Sequence, residues 1–139
     1  MKMGILLNSE ISYIIAKMGH NDELVIGDAG LPIPNGVQRI DLAVSKGIPD
    51  FLSVLEAILN ELRIEKIILA TEIKNTSSKL HSEILELLHL VEKRDNISIE
   101  LEYVSHEEFK IKTADSKAVV RTGEFASYAN IILVSGVVF

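Results

Sequence analysis

Six side chains in short polar breaks between apolar runs could do chemistry in this chain of 139 residues. The stretch GHNDELVIGDAGLPIP, residues 19–34, carries His20 and Asp28 at either end of one apolar run. SHEEFK, residues 105–110, places His106 and Lys110 four positions apart, on one face if the segment is helical. Tyr128-Ala129-Asn130 stands just before the last apolar run. Imidazole gives and takes protons near neutral pH, and Asp28 could orient a ring nitrogen or accept a hydroxyl proton. With the phenol of Tyr128 and the amide of Asn130, such a set suits a polyhydroxylated neutral ligand. Each position also has a plain structural reading. His20 follows the helix-stopping Gly19, where a turn histidine is common, and on the residues alone turn punctuation is the preferred reading. His106 and Lys110 are explained equally well by surface amphipathicity. His81 and His89 lie off the apolar stripe of their helix and are expected at solvated positions.

Other chemistries find less support. There is no cysteine, which removes disulfides, thiol catalysis and thiolate metal sites. No histidine pair has the HExxH or i, i+4 spacing of a zinc site. A centre built from His20, Asp28 and His106 is conceivable, but nothing in the spacing demands a metal, and no metal or cofactor is expected. Neither GxGxxG nor GxxxxGK[ST] occurs, nor the GxSxG elbow. Acid pairs such as Glu107–Glu108 are expected by chance among 20 acidic residues. A net charge of −6 and a pI near 5.2 argue against a nucleic-acid partner. The apolar fraction of 47% and mean hydropathy of +0.27 predict surface hidden in subunit contacts as well as a core. No run reaches the ~18 apolar residues that a membrane span needs. The first apolar run is broken by Asn8, Ser9, Glu10 and Ser12, unlike a signal peptide, so a soluble cytoplasmic protein is the expectation.

The elements that would position these groups follow from periodicity. Ser9 is expected to cap a helix over Glu10–Met18 that Gly19 stops. Leu24–Gly27 reads as a buried strand that Pro32 and Pro34 cannot continue. Arg39–Val44 reads as a second short strand. Asp50 opens an amphipathic helix through Leu62, and Lys66–Thr71 reads as a central strand. Ser77 or Ser78 should cap the next helix, ahead of an alternating strand over Ile97–Val104. Ser105 should cap HEEFK, whose first-turn acids suit the helix dipole. Ala118–Arg121 and Ile131–Val138 complete the strands. Helices and strands alternate, which predicts a single α/β domain over residues 1–139, its central, largely parallel sheet flanked by helices. Ligands gather at the carboxyl ends of strands in such sheets, and Asp28 sits at one.

Taken together, LNSEIS, GHNDELVIGDAGLPIP, RIDLAVSKGIP, HEEFK, AVVRTGE and YANIILVSGVVF resemble the D-ribose pyranase family of sugar mutarotases over essentially the whole chain. The resemblance implies interconversion of β-D-ribopyranose and β-D-ribofuranose, supplying a form that ribokinase uses. It implies His20 as the proton donor, with sugar contacts at Asp28, His106, Lys110, Tyr128 and Asn130, and no cofactor. It further implies a ring-shaped homo-oligomer, a decamer of two pentamers, with sites at subunit contacts. A related branch acts on L-fucose; the doubled proline of DAGLPIP favours the ribose branch. Ser127 stands where the family pattern has proline, a departure expected to loosen the loop without shifting Tyr128 or Asn130. The alternatives are a non-catalytic ribose-binding or transport-accessory protein, and a mutarotase for fucose or another sugar. On the resemblance, the strand between His20 and Asp28 is expected to be the spacer that lets both meet one sugar.

Overall fold

Apolar runs, continuous in the inner strands and sparse in the two edge strands, build six short strands, which the computed structural model, covering Met1–Phe139, joins into one sheet. They are β1 (Glu23–Gly27), β2 (Gln38–Asp41), β3 (Ile64–Ala70), β4 (Glu100–Val104), β5 (Ala118–Arg121) and β6 (Ile131–Ser135). Their order across the sheet is β2-β5-β1-β6-β3-β4. β5 runs parallel to β1 and β2, β4 runs parallel to β3, and β6 lies antiparallel between β1 and β3. Five strands therefore share one direction and the central β6 opposes it. One edge of the sheet thus gathers the carboxyl ends of five strands together with the amino end of the sixth.

The two faces are covered unequally. Leu24, Ile26, Val120 and Leu133 point into a cluster of 24 buried residues. It is closed by α1 (Ser9–Lys17), α2 (Phe51–Leu59) and α4 (Ser78–Asp95). Val25, Ile68, Val119 and Ile132 face the other way, as the period of two requires. There they meet Leu31, Val104 and Phe109 in a cluster of seven buried residues, with half-buried Ile33 and Val37 against it. Phe109 is fully buried and anchors the short helix α5 (His106–Lys112) to that face. Truncating a buried phenylalanine costs about 3–5 kcal/mol, so Phe109 is what holds a helix of barely two turns in place.

Local chemistry sets the boundaries and corrects several expectations. Asn8, not Ser9, caps α1: its Oδ1 accepts the Ile11 N–H at 2.9 Å. Asp50 and Ser105 cap α2 and α5 as expected. Ser77 precedes α4 but makes no cap; its hydroxyl donates to the Ser127 carbonyl at 2.7 Å. The strand expected over Arg39–Val44 ends at Asp41, because Val44 and Ser45 turn back to donate to the Ile48 carbonyl. β6 stops at Ser135 rather than Val138, since the Gly136 N–H turns to the Arg63 carbonyl. A short helix, α3 (Ile73–Thr76), follows β3 where none was expected. No helix is long and apolar enough to cross a membrane.

Candidate active site

Strand direction brings three separate sequence segments to one edge. Asp28 follows β1, His106 opens α5 just beyond β4, and Asn130 immediately precedes β6. The β1–β6 register pairs Ile26 with Ile131, which brings Asn130 across from Gly27 and next to Asp28. Asn130 is fully buried and grips Asp28 twice. Its Oδ1 accepts the Asp28 backbone N–H at 2.9 Å, and its Nδ2 donates to the Asp28 carboxylate at 3.1 Å. Gly27 permits that approach, since a Cβ there would lie 2.7 Å from the Leu31 side chain and 3.2 Å from Asn130 Oδ1. The Gly30 N–H caps the other carboxylate oxygen at 2.9 Å. Burial pushes the Asp28 carboxyl above its ordinary range; these hydrogen bonds, the Leu31 N–H and nearby His106 pull the other way.

The rings of His106 and Tyr128 meet edge to face, with centroids 5.0 Å apart. Tyr128 holds a left-handed backbone at φ 61°, uncommon for a bulky residue and concentrated at functional positions. The Asn130 N–H donates to the Tyr128 carbonyl at 2.8 Å, closing the turn. Both oxygens of Glu72 accept the His106 backbone N–H, at 3.1 and 3.0 Å. His106 Nδ1 is buried without a hydrogen-bond partner, so the ring has bonding capacity the chain itself leaves unused. Beside this cluster opens a cleft of about 410 Å³, bordered by Asp28, Gly30, Arg121, Glu124 and Phe125 among others. His106, Tyr128 and Asn130 do not line it. Arg121 is fixed there by its bonds to the Ala29 carbonyl and to both Asp41 oxygens. Glu124 braces the wall by accepting the N–H groups of Phe51, Phe125 and Ala126.

His20 and Lys110 stand apart. Lys110 pairs along its own helix with Glu107, Nζ to Oε1 at 2.8 Å. His20 lies before β1, at the opposite edge of the sheet from Asp28. The five residues of β1 alone separate the two by about 17 Å at the usual rise, so within one chain they do not meet. The spacer expectation therefore fails for a single chain: a strand joins its ends through its full length. His20 instead rests, half-exposed, on Glu65, with Nε2 3.0 and 2.9 Å from the two carboxylate oxygens.

Sequence reasoning left Glu65, Glu72, Arg121 and Glu124 without roles. Arg121 and Glu124 lie within AVVRTGE, a stretch that carries the family resemblance. Glu65, the second residue of β3, and Glu72, two residues beyond its end, carry no local signal. His81 is not simply solvated. Its Nε2 lies 2.6 Å from the Tyr103 hydroxyl, and Lys74 sits 3.7 Å over the Tyr103 ring. Burial and then Lys74 hold its imidazole below the ordinary range, and burial pushes the Tyr103 phenol up. His89 is exposed, as expected.

Comparison with known proteins follows the same lines. Residues 1–138 match the family model described as the RbsD / FucU transport protein family. The D-ribose pyranase of Proteus mirabilis is 57% identical over all 139 residues of both chains. The structure of Bacillus subtilis RbsD complexed with D-ribose superposes with a TM-score of 0.85 at 45% identity, covering 100% of this chain and 99% of that one. The fucose mutarotase of Streptococcus pneumoniae, complexed with L-fucose, shares the fold at a TM-score of 0.74 and 24% identity, with both chains fully covered.

Proposed function

The chain belongs to the RbsD / FucU family, and from that premise we propose that it interconverts the pyranose and furanose forms of D-ribose. The observation that carries this reading is the prearranged Asp28–Asn130 pair, with His106 and Tyr128, beside an open cleft. Carboxylate, amide, imidazole and phenol at one edge are the groups that a sugar's hydroxyls engage. Relatives 48–57% identical over their full length are D-ribose pyranases, which supports ribose over fucose.

Ring opening needs the proton of the anomeric hydroxyl removed and one delivered to the ring oxygen, breaking the bond from the anomeric carbon to that oxygen. The open aldehyde turns, the hydroxyl one carbon nearer attacks the carbonyl, and its proton is lost as the carbonyl oxygen gains one. Every proton removed is matched by one delivered, so a single imidazole can run both halves. In this reading His20 is that acid/base group. Asp28, His106, Tyr128, Asn130 and Lys110 hold hydroxyls.

His20 and Asp28 occupy opposite edges of one sheet, so each site is completed by His20 of a second copy. Exposed Val44, Ile48 and Phe125 supply apolar surface for such a contact, Phe125 at the cleft itself. A closed ring of copies, here two pentamers, lets every subunit lend His20 in one direction and Asp28 in the other. Light scattering and sedimentation velocity measure that assembly.

Saturation-transfer NMR of ribose, fucose and related sugars with catalytic amounts of protein tests the function. Faster pyranose–furanose exchange for ribose, weaker or absent for fucose, is the expected result. Saturable ribose binding without faster exchange would replace the enzyme by a sugar-binding accessory protein.

A further inference from the structure

Glu65 lies in the only irregular step of the β3–β6 ladder: Ile64 pairs with Ser135 and Lys66 with Val134, leaving Glu65 without a partner. Such bulges bend a strand and re-aim a side chain, and they recur beside active sites. Here the bulge turns the Glu65 carboxylate to His20 Nε2, at 3.0 and 2.9 Å from its two oxygens. The small Gly136 allows it, since a Cβ there would come within 3.3 Å of the Glu65 Cβ.

His20 is held from its own side as well. It belongs to a tight turn in which the Asp22 N–H donates to the Gly19 carbonyl and the Gly19 N–H to Asp22 Oδ2. Asn21 adopts a left-handed backbone at φ 66°, and its N–H donates to the Ser135 carbonyl at 2.9 Å. Ser135 is the partner across from the bulge. Turn and bulge are therefore stitched to the same strand end, which fixes imidazole and carboxylate relative to one another. A half-exposed ion pair contributes little to stability, so the local backbone irregularity is not explained by folding.

Resting on the reading of His20 as the acid/base group, we propose that Glu65 is its positioning residue. A carboxylate only accepts, so Nε2 must donate to it. In the neutral ring the proton is then on Nε2, and the lone pair is on Nδ1. Nδ1 therefore takes the proton of the anomeric hydroxyl, and the same nitrogen returns it to the ring oxygen. Glu65 touches no sugar atom; it holds the tautomer and the ring plane.

The test uses the full assembled protein with Glu65→Ala and Glu65→Gln. Two quantities are read: kcat and KM for ribose exchange, and the tautomer of His20 from long-range ¹⁵N–¹H imidazole correlations. In Glu65→Ala the wild-type Nε2–H signature gives way to a tautomer mixture. kcat falls on the order of 10- to 100-fold, as for a misoriented group, with KM within about twofold. Glu65→Gln keeps the shape but presents a donor as readily as an acceptor, so kcat falls with the Nε2–H fraction. Wild-type kcat in Glu65→Ala overturns the proposal, as does wild-type kcat in Glu65→Gln with the Nε2–H fraction reduced, or a loss of kcat with the tautomer unchanged. His20→Ala separates the two layers: wild-type exchange there removes the acid/base reading itself, whereas its loss beside an unaffected Glu65→Ala removes only the role of Glu65.

Discussion

At the carboxyl edge of the sheet, Asp28 and Asn130 are packed, mutually bonded and backed by the ladder of β1 and β6. At the amino edge, His20 stands half in solvent on a turn and touches one carboxylate. The first region resembles a lock cut in advance: its groups cannot rearrange without breaking buried hydrogen bonds. The second leaves an imidazole accessible beside two local irregularities, a left-handed Asn21 and a bulged Glu65, which on the proposed reading aim it. Recognition and proton transfer make different demands. A hydroxyl-binding group gains from burial and fixed geometry, whereas a proton-transfer group must be reached by the sugar. Dividing them between two edges meets both demands, provided a second copy brings the edges together.

The strongest way to break this comparison is to disable the edges separately. His20→Ala and Asp28→Ala should each reduce ribose ring-form exchange by roughly 10²–10⁴-fold, within the range of lost acid/base catalysis and substrate positioning. Mixed and reassembled subunits of the two variants should recover exchange at roughly a quarter of the sites, where two intact halves meet across a shared interface. Saturation-transfer rates on the mixture read this directly. A mixture as inactive as its parents would mean that both edges do not serve one site.

The next contrast is in stability. Asn130→Ala removes a fully buried side chain with both its bonds to Asp28 and leaves the half-buried Asp28 N–H unpaired, which should destabilise the fold by about 2–4 kcal/mol. His20→Ala, at an exposed position, should stay within about 0.5 kcal/mol of the parent. Urea midpoints at constant slope measure the two. Equal losses would erase the distinction between a prearranged edge and an open one.

Much of the carboxyl edge was legible before any coordinates. Short continuous apolar runs marked β1, β5 and β6, the prolines of DAGLPIP kept β1 from running on, and Ser105 capped α5. What periodicity could not show was that β6 runs against its neighbours. That reversal carries Asn130 to Asp28, and no local signal encodes strand direction. Cap choice also went astray at Asn8, because Asn and Ser are nearly equal as caps and adjacent residues compete. Glu65 was invisible for another reason. A bulge is a mismatch between two strands, so one strand's sequence does not contain it. His20 was named only through family resemblance, and residues alone had read it as a turn.

Acid titration should separate the edges by sign. Burial raises the Asp28 carboxyl in the folded chain, so the unfolded chain releases its proton first as pH rises. Stability contributed by Asp28 therefore falls between the ordinary carboxylate value and the raised one, and is level above it. The stability of the parent minus that of Asp28→Asn should decline across that window. At the opposite edge Asp22 has the reverse sign: the Gly19 N–H, ahead of Lys117, lowers its carboxyl. Its contribution is present above the ordinary value and lost as pH falls toward the lowered one. Thermal melts of parent, Asp28→Asn and Asp22→Asn from about pH 3 to 7 give both differences. A parent-minus-Asp28→Asn difference that rises with pH would mean that hydrogen bonding outweighs burial at Asp28.

The smallest effect is expected at Lys110, and it sharpens where the prearranged region ends. Asp28 and Asn130 are bonded to each other before any sugar arrives, whereas the Lys110 ammonium is engaged along its own helix by Glu107. To contact a hydroxyl it must leave or share that exposed partner, so part of the new bond replaces an old one. The net contribution is then that of an ordinary hydrogen bond, and Lys110→Ala should raise KM by about two- to tenfold with kcat nearly unchanged. Glu107→Gln releases the ammonium from its intrahelical pair and should lower KM slightly. Exchange rates across a ribose concentration series resolve both changes. A large loss of kcat in Lys110→Ala would move this residue among the groups that act in the transition state, and the boundary of the prearranged edge would then extend one helical turn beyond His106.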